Sequence, residues 1–335
     1  MPDRPLVQEI CELGIEAAGS AGTPVPSTVK LQGLQLDFGT ALNVDRFGPA
    51  GDLWDTIAAP RQEWGEGSVS GFPTYPEMAY VLSNVFGTAT VTTPTGATNA
   101  RRWYWQPSSS TPWQPRTWTV RRGMPGNTAE LASYGLMTGV NLSFTRTAAP
   151  EIGGDFITRI LDYSASVGAT GLTVPSVVPI LPAQVCVYLD PTAGAIGTTR
   201  LTRDFLTSVE ISGLFGPIWP LDCTIASFAA TVPLKPDTTV HLQLGNDAQG
   251  REPVTAMRLG DSRFCRIQAT GPQIDAGPPV QNHRLTIDLA LKVVDAPARG
   301  DSDGLSTLDW TFGIFNDPTF GKAMSIELIT NLATL

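Results

Sequence analysis

The chain has 335 residues, of which 42% are hydrophobic and only 16% charged, and its formal net charge is −9. A typical globular protein is about one-quarter charged, so this surface is unusually neutral, as suits a protein that buries much of its outside against other subunits. The acidic balance argues against a groove that follows nucleic-acid phosphates, because such a groove needs clustered lysine and arginine. The length allows one large domain or two ordinary ones, and we favour two.

The amino-terminal segment has two parts. Residues 4–18 place apolar side chains at helical spacing, with glutamates on another face, and residues 19–27 are rich in Gly, Pro and Ala, as linkers are. We therefore predict that residues 1–27 form an arm and linker that docks on a neighbouring subunit, with a frayed terminus as the plainer alternative. The predicted subunit contacts in the arm are Leu6, Ile10 and Leu13.

Beyond the linker the dominant pattern is period two, which predicts strands with one face on a core and one face off it. Pro and Gly, at 28 and 33 residues, separate these segments as turns. The clearest predicted strands are 34–38, 140–145, 209–212, 284–293, 308–314 and 325–328.

One helix is predicted inside this β-rich background. Thr74 and Glu77 have capping-box spacing, Pro76 lies in the first turn, and Gly87 ends the segment. Its apolar stripe is Met78, Val81, Leu82 and Val85. A weaker helix is predicted over 252–259, followed by Gly260.

These elements suggest a loose internal duplication. In each half an alternating strand precedes the helix and a longer alternating strand follows it, although residue identities do not match. The proline-rich stretch 176–182 disfavours helix and central strand, so we place the boundary there. The predicted domains are 28–175 and 183–335, and chance agreement between two β-rich halves is the alternative.

The sequence offers no catalytic, cofactor or metal signature, so we expect a protein that is not an enzyme. His241 and His283 are separate and fall in strand-like segments. The four cysteines, Cys11, Cys186, Cys223 and Cys265, are scattered without a C-x-x-C pair, which is typical of buried thiols in a reducing compartment. Asp301 and Asp303 fit a plain turn better than a calcium loop. With no secretory signal or membrane span in evidence, cytoplasmic synthesis is expected.

Aromatic residues cluster in the segment from Trp103 to Trp118. Such a cluster could hold sugars or bases. In a strand, however, Trp103 and Trp105 share one face, as residues that fill a core or a subunit contact do. We predict Trp103 and Trp105 as subunit contacts.

With these segments in view, the chain resembles the major tail tube proteins of long, non-contractile-tailed bacteriophages (siphophages). The resemblance extends over nearly the whole chain and is one of layout, carried by weak motifs. These are residues 12–16 (ELGIE), 71–77 (GFPTYPE), 103–105 (WYW), 134–137 (YGLM) and 321–326 (GKAMSI).

The resemblance implies a mainly β fold of two tandem sandwich or barrel domains, each with one flanking α-helix, plus the amino-terminal arm. It implies self-assembly into rings that stack as a tube around a channel for DNA, and a duplicated chain would form homotrimer rings with pseudo-sixfold symmetry. The implied partners are the chain itself, a tape-measure protein, and tail terminator and tip proteins. DNA would pass without specific binding, and the implied location is the virion tail, assembled in the host cytoplasm.

Charge suggests how such a channel would work, because acidic or neutral walls repel phosphates. We predict that the polar faces of paired strands line the channel, although these side chains could instead face solvent or a neighbouring domain. The predicted lining residues are Gln35, Asp37, Asn141, Ser143, Glu210, Ser212, Thr286 and Asp288.

Two other classes of protein stay open at this point. One is a carbohydrate-binding β-sandwich module that uses the Trp103–Trp118 region, and the other is a capsid or decoration protein. A binding module stays a monomer or small oligomer, a capsid protein forms shells, and a tube protein forms rings or filaments. Negative-stain microscopy distinguishes the three.

Overall fold

The structure is a computed structural model that describes residues 9–108, 110–222 and 227–335. It is mainly β. The part before residue 176 contains β1 (Ile10–Ile15), β2 (Val29–Lys30), β3 (Leu34–Phe47), β4 (Ile57–Gly71), α1 (Tyr75–Phe86), β5 (Thr90–Thr92), β6 (Arg101–Trp105), β7 (Trp118–Gly123), β8 (Ala129–Met137), β9 (Val140–Thr145), β10 (Glu151–Thr158) and β11 (Asp162–Ala165). The rest contains β12 (Val185–Asp190), β13 (Asp204–Ser212), β14 (Phe215–Ile218), β15 (Ala230–Pro233), β16 (Asp237–Gly245), α2 (Pro253–Leu259), β17 (Arg263–Asp275), β18 (Gln281–Ser302), β19 (Leu305–Ile314) and β20 (Met324–Thr330), with short 3-10 turns at Pro182–Gln184 and Ala193–Ala195.

The strands predicted from period-two alternation are confirmed, each inside a longer or equal strand. In β3 the side chains of Leu34, Leu36 and Phe38 are buried, and the residues between them are exposed. Both predicted helices are confirmed. The backbone N–H of Glu77 donates to Thr74 Oγ1 at the start of α1, and α2 ends at Gly260 in the left-handed conformation.

The predicted helical arm at the amino terminus is wrong over the described residues. Residues 10–15 form strand β1, which pairs antiparallel with β7 and with β2. Leu13 is fully buried in the chain's own core, so it is not available as a subunit contact. Ile10 is half-buried in β1, and its predicted subunit contact stays a prediction. Leu6 lies outside the described residues. The cause is a long-range partner: β7, roughly a hundred residues further along the chain, provides backbone hydrogen bonds that a helix would otherwise supply locally.

One antiparallel run of strands forms what we call the main sheet, in the order β3, β4, β10, β9, β13, β16, β19, β18. The pair β9·β13 joins the two parts of the chain, with Ile211 opposite Val140 and Leu206 opposite Thr145. Over the residues that the structure describes, the sheet with its branches has 18 strands, and β14 and β15 form a separate 2-stranded sheet.

Further strands branch from the main sheet at two places, and the order of strand pairings is the same in both parts of the chain. In the first part, β8 continues into β9 and pairs with β7 and β11, and β7 pairs with β1. In the second part, the amino-terminal half of β18 pairs with β17 and β20, and β17 pairs with β12. The first series is therefore β1·β7·β8/β9·β10·β4·β3, and the second is β12·β17·β18·β19·β16·β13.

Helix α1 lies inside the molecule, whereas a flanking helix was expected. All of its residues from Tyr75 to Phe86 are buried, including Glu77, Ser83 and Asn84. It packs against β6, β8, β18 and β20, which come from both parts of the chain. Helix α2 buries only Pro253 and Ala256. The predicted domain boundary at 176–182 stays a prediction. The strand pairs β9·β13 and β20·β6 join segments on either side of it, and the buried core is continuous across it.

Candidate assembly surfaces

One face of the main sheet is polar. Residues directly opposite each other on antiparallel strands share a face, and the registers define three rows on this one. The first row is Gln35, Ser70, Gly153, Asn141, Glu210 and Thr239. The second is Glu151, Ser143, Ser208, His241 and Thr311. The third row contains Asp37, Ser68 and Asp155 at one end, and Ser212 and Asp237 at the other.

Most of the predicted channel-lining residues fall together on this polar face: Gln35, Asp37, Asn141, Ser143, Glu210 and Ser212. Thr286 and Asp288 lie elsewhere, because their half of β18 pairs with β17 and β20. Asp288 Oδ1 accepts from Arg266 Nε at 2.7 Å in an ion pair. Alternation along one strand could not reveal this, since β18 leaves the main sheet partway along its length.

The polar face is acidic. Its ionisable side chains in the three rows are Asp37, Glu151, Asp155, Glu210, Asp237 and His241. The side chain of Asp37 is 89% exposed even though it contacts Arg122 Nη1 at 2.8 Å. His241 Nδ1 lies 3.3 Å from Thr311 Oγ1 in the neighbouring strand. Carboxylates arranged in this way give the face a negative potential.

The first end of the main sheet is an unpaired edge. β3 pairs with β4 on one side only, within the part of the chain that the structure describes. Phe72 N donates to Gly33 O on the β4 side, and peptide groups alternate in direction along a strand. Leu34, Leu36 and Phe38 therefore point their N–H and C=O groups away from β4, into a groove lined by Glu9, Cys11, Lys30 and Arg122.

The second end is the carboxyl-terminal half of β18. Over residues 291–302 this strand pairs with β19, while its pairings with β17 and β20 stop at Leu291 and Leu289. The opposite edge of residues 292–302 is thus unpaired among the described strands. Unpaired strand edges are templates for adding another strand.

Two hairpins project beyond the main sheet along the strand direction, and they point in opposite directions. Each neighbouring pair in the sheet is antiparallel, so β3 and β18, the first and last strands, run in opposite directions. The β3–β4 hairpin therefore projects in one direction along the strands, and the β18–β19 hairpin projects in the opposite direction. At ~3.3 Å per residue, the tip of the β3–β4 hairpin lies roughly 40 Å, and that of the β18–β19 hairpin roughly 30 Å, from the row that contains Gln35.

The β3–β4 hairpin carries an exposed apolar set that the sequence reasoning missed. Its members are Leu42, Val44, Phe47, Leu53, Trp54 and Ile57, with Leu53 93% and Trp54 83% exposed. The signal was present, since the apolar alternation of 34–38 continues through Leu42 and Val44. On the other hairpin Val294 and Leu305 are exposed.

The aromatic cluster is buried. Trp103 and Trp105 are 3% and 2% exposed, their rings stack at 6.2 Å, and their indole N–H groups donate to Leu332 O and Gly87 O. Trp118 is also buried. The structure places Trp103 and Trp105 in the chain's own core, so the prediction that they form subunit contacts is wrong, and they present no platform to a sugar.

Ionisable and thiol groups form no metal-ligating cluster among residues 9–108, 110–222 and 227–335. Cys11, Cys186 and Cys265 are free thiols, burial raises the pKa of Cys11 to about 12, and Cys223 lies outside the described residues. Asp301 Oδ1 accepts from Gly304 N in the turn of the β18–β19 hairpin. Over the described ranges, no helix is both long and apolar enough to span a bilayer.

Neither a protein-family model nor a curated protein matches this chain.

Proposed function

We propose that the chain is the structural subunit of a phage tail tube, which polymerises into stacked rings around a channel for DNA. The observation that carries the proposal is the pair of unpaired edges on the main sheet. One edge of β3 and, at the other end of the strand order, one edge of residues 292–302 of β18 have no paired strand among the described residues. Because these two edges do not pair with each other among the described strands, the sheet would close into a barrel by joining further copies.

The junction β9·β13 supports this arrangement from inside the chain. In the two series of strand pairings, β9 occupies the place of the carboxyl-terminal half of β18, and β13 occupies the place of β3. The antiparallel pairing of β9 with β13 is thus a pattern for pairing β18 of one copy with β3 of the next. We propose that the halves are two copies of one tail-tube-type domain and that three chains close a ring with pseudo-sixfold symmetry.

The hairpins provide contacts between rings in this proposal. They extend along the strand direction from opposite ends of the main sheet, so each ring would present one set on each face. A contact between unlike faces does not close on itself and generates a filament. The exposed Leu53 and Trp54 are the side chains that would be buried on the next ring.

The acidic polar face would line the channel. Its carboxylates would repel DNA phosphates and let DNA pass without specific binding. A tape-measure protein inside the tube, and terminator and tip proteins at its ends, are the partners this role requires, and the virion tail is its location.

Assembly of the purified chain tests the proposal. Negative-stain microscopy and native mass spectrometry at rising concentration should show rings of three chains and tubes built from them. A chain that stays monomeric at high concentration would overturn the proposal and favour a binding module, and closed shells would favour a capsid or decoration protein.

A shortened hairpin separates ring closure from stacking. Replacing residues 44–61 by Asn-Gly joins Asn43 to Gln62 through a two-residue turn and should give rings that do not stack. The control is Leu259→Ser, which removes an apolar side chain that is 68% exposed on α2 and should leave tubes intact. Tubes of normal length from the shortened chain would exclude the hairpin from stacking.

A further inference from the structure

The side chain of Arg122 in β7 covers part of the unpaired edge of β3. Its Nη1 donates to Leu36 O at 3.3 Å and its Nη2 to Phe38 O at 2.8 Å. These are the carbonyl groups that point away from β4. An antiparallel strand added to this edge would direct its own N–H groups at the same oxygens.

The guanidinium is held in this position by further contacts. Nη1 also donates to Asp37 Oδ1 at 2.8 Å, while Nε and Nη2 donate to Glu130 Oε2 at 3.0 and 2.6 Å. The cation lies 4.5 Å from the centroid of the Phe38 ring. Burial by itself would lower the pKa of Arg122, but the hydrogen bonds to Asp37 and Glu130 together outweigh it and raise that pKa, so the group stays charged.

Every N–H of the guanidinium therefore has an acceptor, and two of those acceptors belong to the β3 edge. Charge-assisted hydrogen bonds of this kind are stronger than neutral ones. An incoming strand must displace the arginine from Leu36 O and Phe38 O before its own bonds can form.

We propose that Arg122 is a lock on the strand-accepting edge of β3, which restrains polymerisation until a second copy displaces it. The inference rests on the proposed function, since it assumes that the segment added to β3 comes from residues 292–302 of another copy. It adds a regulatory role for one residue: the free subunit has its reactive edge closed, and elongation begins when the guanidinium leaves. Glu130, on the same sheet branch, is positioned to keep the released side chain.

The test uses the full chain with Arg122→Met, which keeps the apolar stem and removes every donor. Its matched control is Arg121→Met, because Arg121 donates to Val25 O and Ser27 Oγ instead of to β3. Two quantities are measured: the lag before light scattering reports assembly, and the affinity of a fluorescent peptide with the sequence of residues 292–302. We expect Arg122→Met to shorten the lag and tighten peptide binding at least about threefold, and Arg121→Met to match the parent chain.

A second variant guards against misfolding of the first. Asp37→Asn weakens the hold on Arg122 at a side chain that is largely exposed, so the fold should survive, and assembly should be faster by a smaller factor. Its control is Asp155→Asn, which removes a carboxylate from the same row of the polar face without contacting Arg122.

The outcomes distinguish the lock from the tube. If the parent chain forms tubes, and folded Arg122→Met and Asp37→Asn assemble and bind peptide no better than their controls, the lock is refuted while the proposed function stands. If no variant assembles or binds the peptide, the proposed function fails and the lock fails with it.

Discussion

Asp190 and Asp204 are carboxylates of the second half in contrasting surroundings. Asp190 accepts hydrogen bonds from Gly197 N, Thr198 and Thr199 N, and although burial opposes it, this bonding lowers the pKa of Asp190. Asp204 accepts from Thr207 Oγ1, while its Oδ1 has no partner among the described residues. Burial raises the pKa of Asp204 to about 6.

The first prediction concerns stability against pH. Asp204 binds its proton more tightly in the folded state, so its contribution to stability is complete below its ordinary pKa of 3.8 and is lost as the pH rises through about 6. Asp204→Asn keeps an acceptor for Thr207 and avoids burying a charge. We expect it to raise the free energy of unfolding at pH 8 by roughly 1–2 kcal/mol and to change it little at pH 4, as measured by urea denaturation.

The comparison variant is Asp190→Asn. An amide cannot replace a carboxylate that accepts several N–H and O–H groups, so this change should lower stability at pH 7 by roughly 2 kcal/mol. Equal effects of both substitutions at pH 8 would contradict the assignment. Sequence reasoning could not separate the two residues, because each is an aspartate at a strand end and the difference lies in which loop folds over it.

At the scale of elements, α1 depends on Glu77 for more than its own cap. Besides its bond with Thr74, the carboxylate accepts from Gln32 N at 2.7 Å and Gly33 N at 3.1 Å. The helix start is therefore tied to the loop that leads into β3, the strand with the free edge. Glu77 is almost completely buried, at 1% exposure.

We predict that Glu77→Ala destabilises the chain more than loss of a cap alone. Thr74→Ala should lower the free energy of unfolding by about 1 kcal/mol. Glu77→Ala also removes the charged acceptor of the Gln32 and Gly33 N–H groups and should lower it by roughly 2–3 kcal/mol. Urea denaturation measures both, with Thr255→Ala on the exposed side of α2 as a control expected within about 0.5 kcal/mol. A Glu77→Ala effect no larger than that of Thr74→Ala would show that the loop does not depend on this carboxylate.

The elements that local pattern could predict are those whose burial follows a single period. β9 was predicted at its observed bounds, Val140–Thr145, because one face packs and the other does not. β1 was missed because the glutamates in it and beside it are buried too: Glu12 in β1 and Glu16 directly after it are each 1% exposed. Glu16 accepts from Thr117 Oγ1, Thr119 Oγ1 and Tyr134 N, so its acceptors are satisfied by distant strands that a local pattern does not contain.

The candidate surfaces divide in the same way. The polar face was predictable where alternating strands remain in the main sheet, as for Asn141 and Glu210, which lie opposite each other. The pattern did not predict the positions of Thr286 and Asp288 correctly, because their part of β18 pairs with branch strands instead of with strands of the main sheet. The sequence pattern could not predict the role of Arg122, because the importance of that side chain depends on which edge of β3 remains unpaired.

For the whole molecule, the charge of the polar face leads to the last prediction. The double variant Asp155→Lys with Glu210→Lys reverses two exposed carboxylates on the main sheet, away from Arg122 and from both hairpins. Tubes should still form, since neither residue lies on an unpaired edge. Lysines inside a closed barrel would face DNA from every copy, and each phosphate contact adds to affinity in a salt-dependent way. We expect the variant tubes to retain double-stranded DNA in co-sedimentation at low salt and to release it as salt rises, while parent tubes retain none.

The control variant is Asp261→Lys, which makes the same kind of charge change in the turn after α2, off the polar face. Its tubes should retain no more DNA than parent tubes do. If Asp261→Lys tubes hold DNA as well as the double variant does, the attraction follows net charge, and the polar face is not the channel wall.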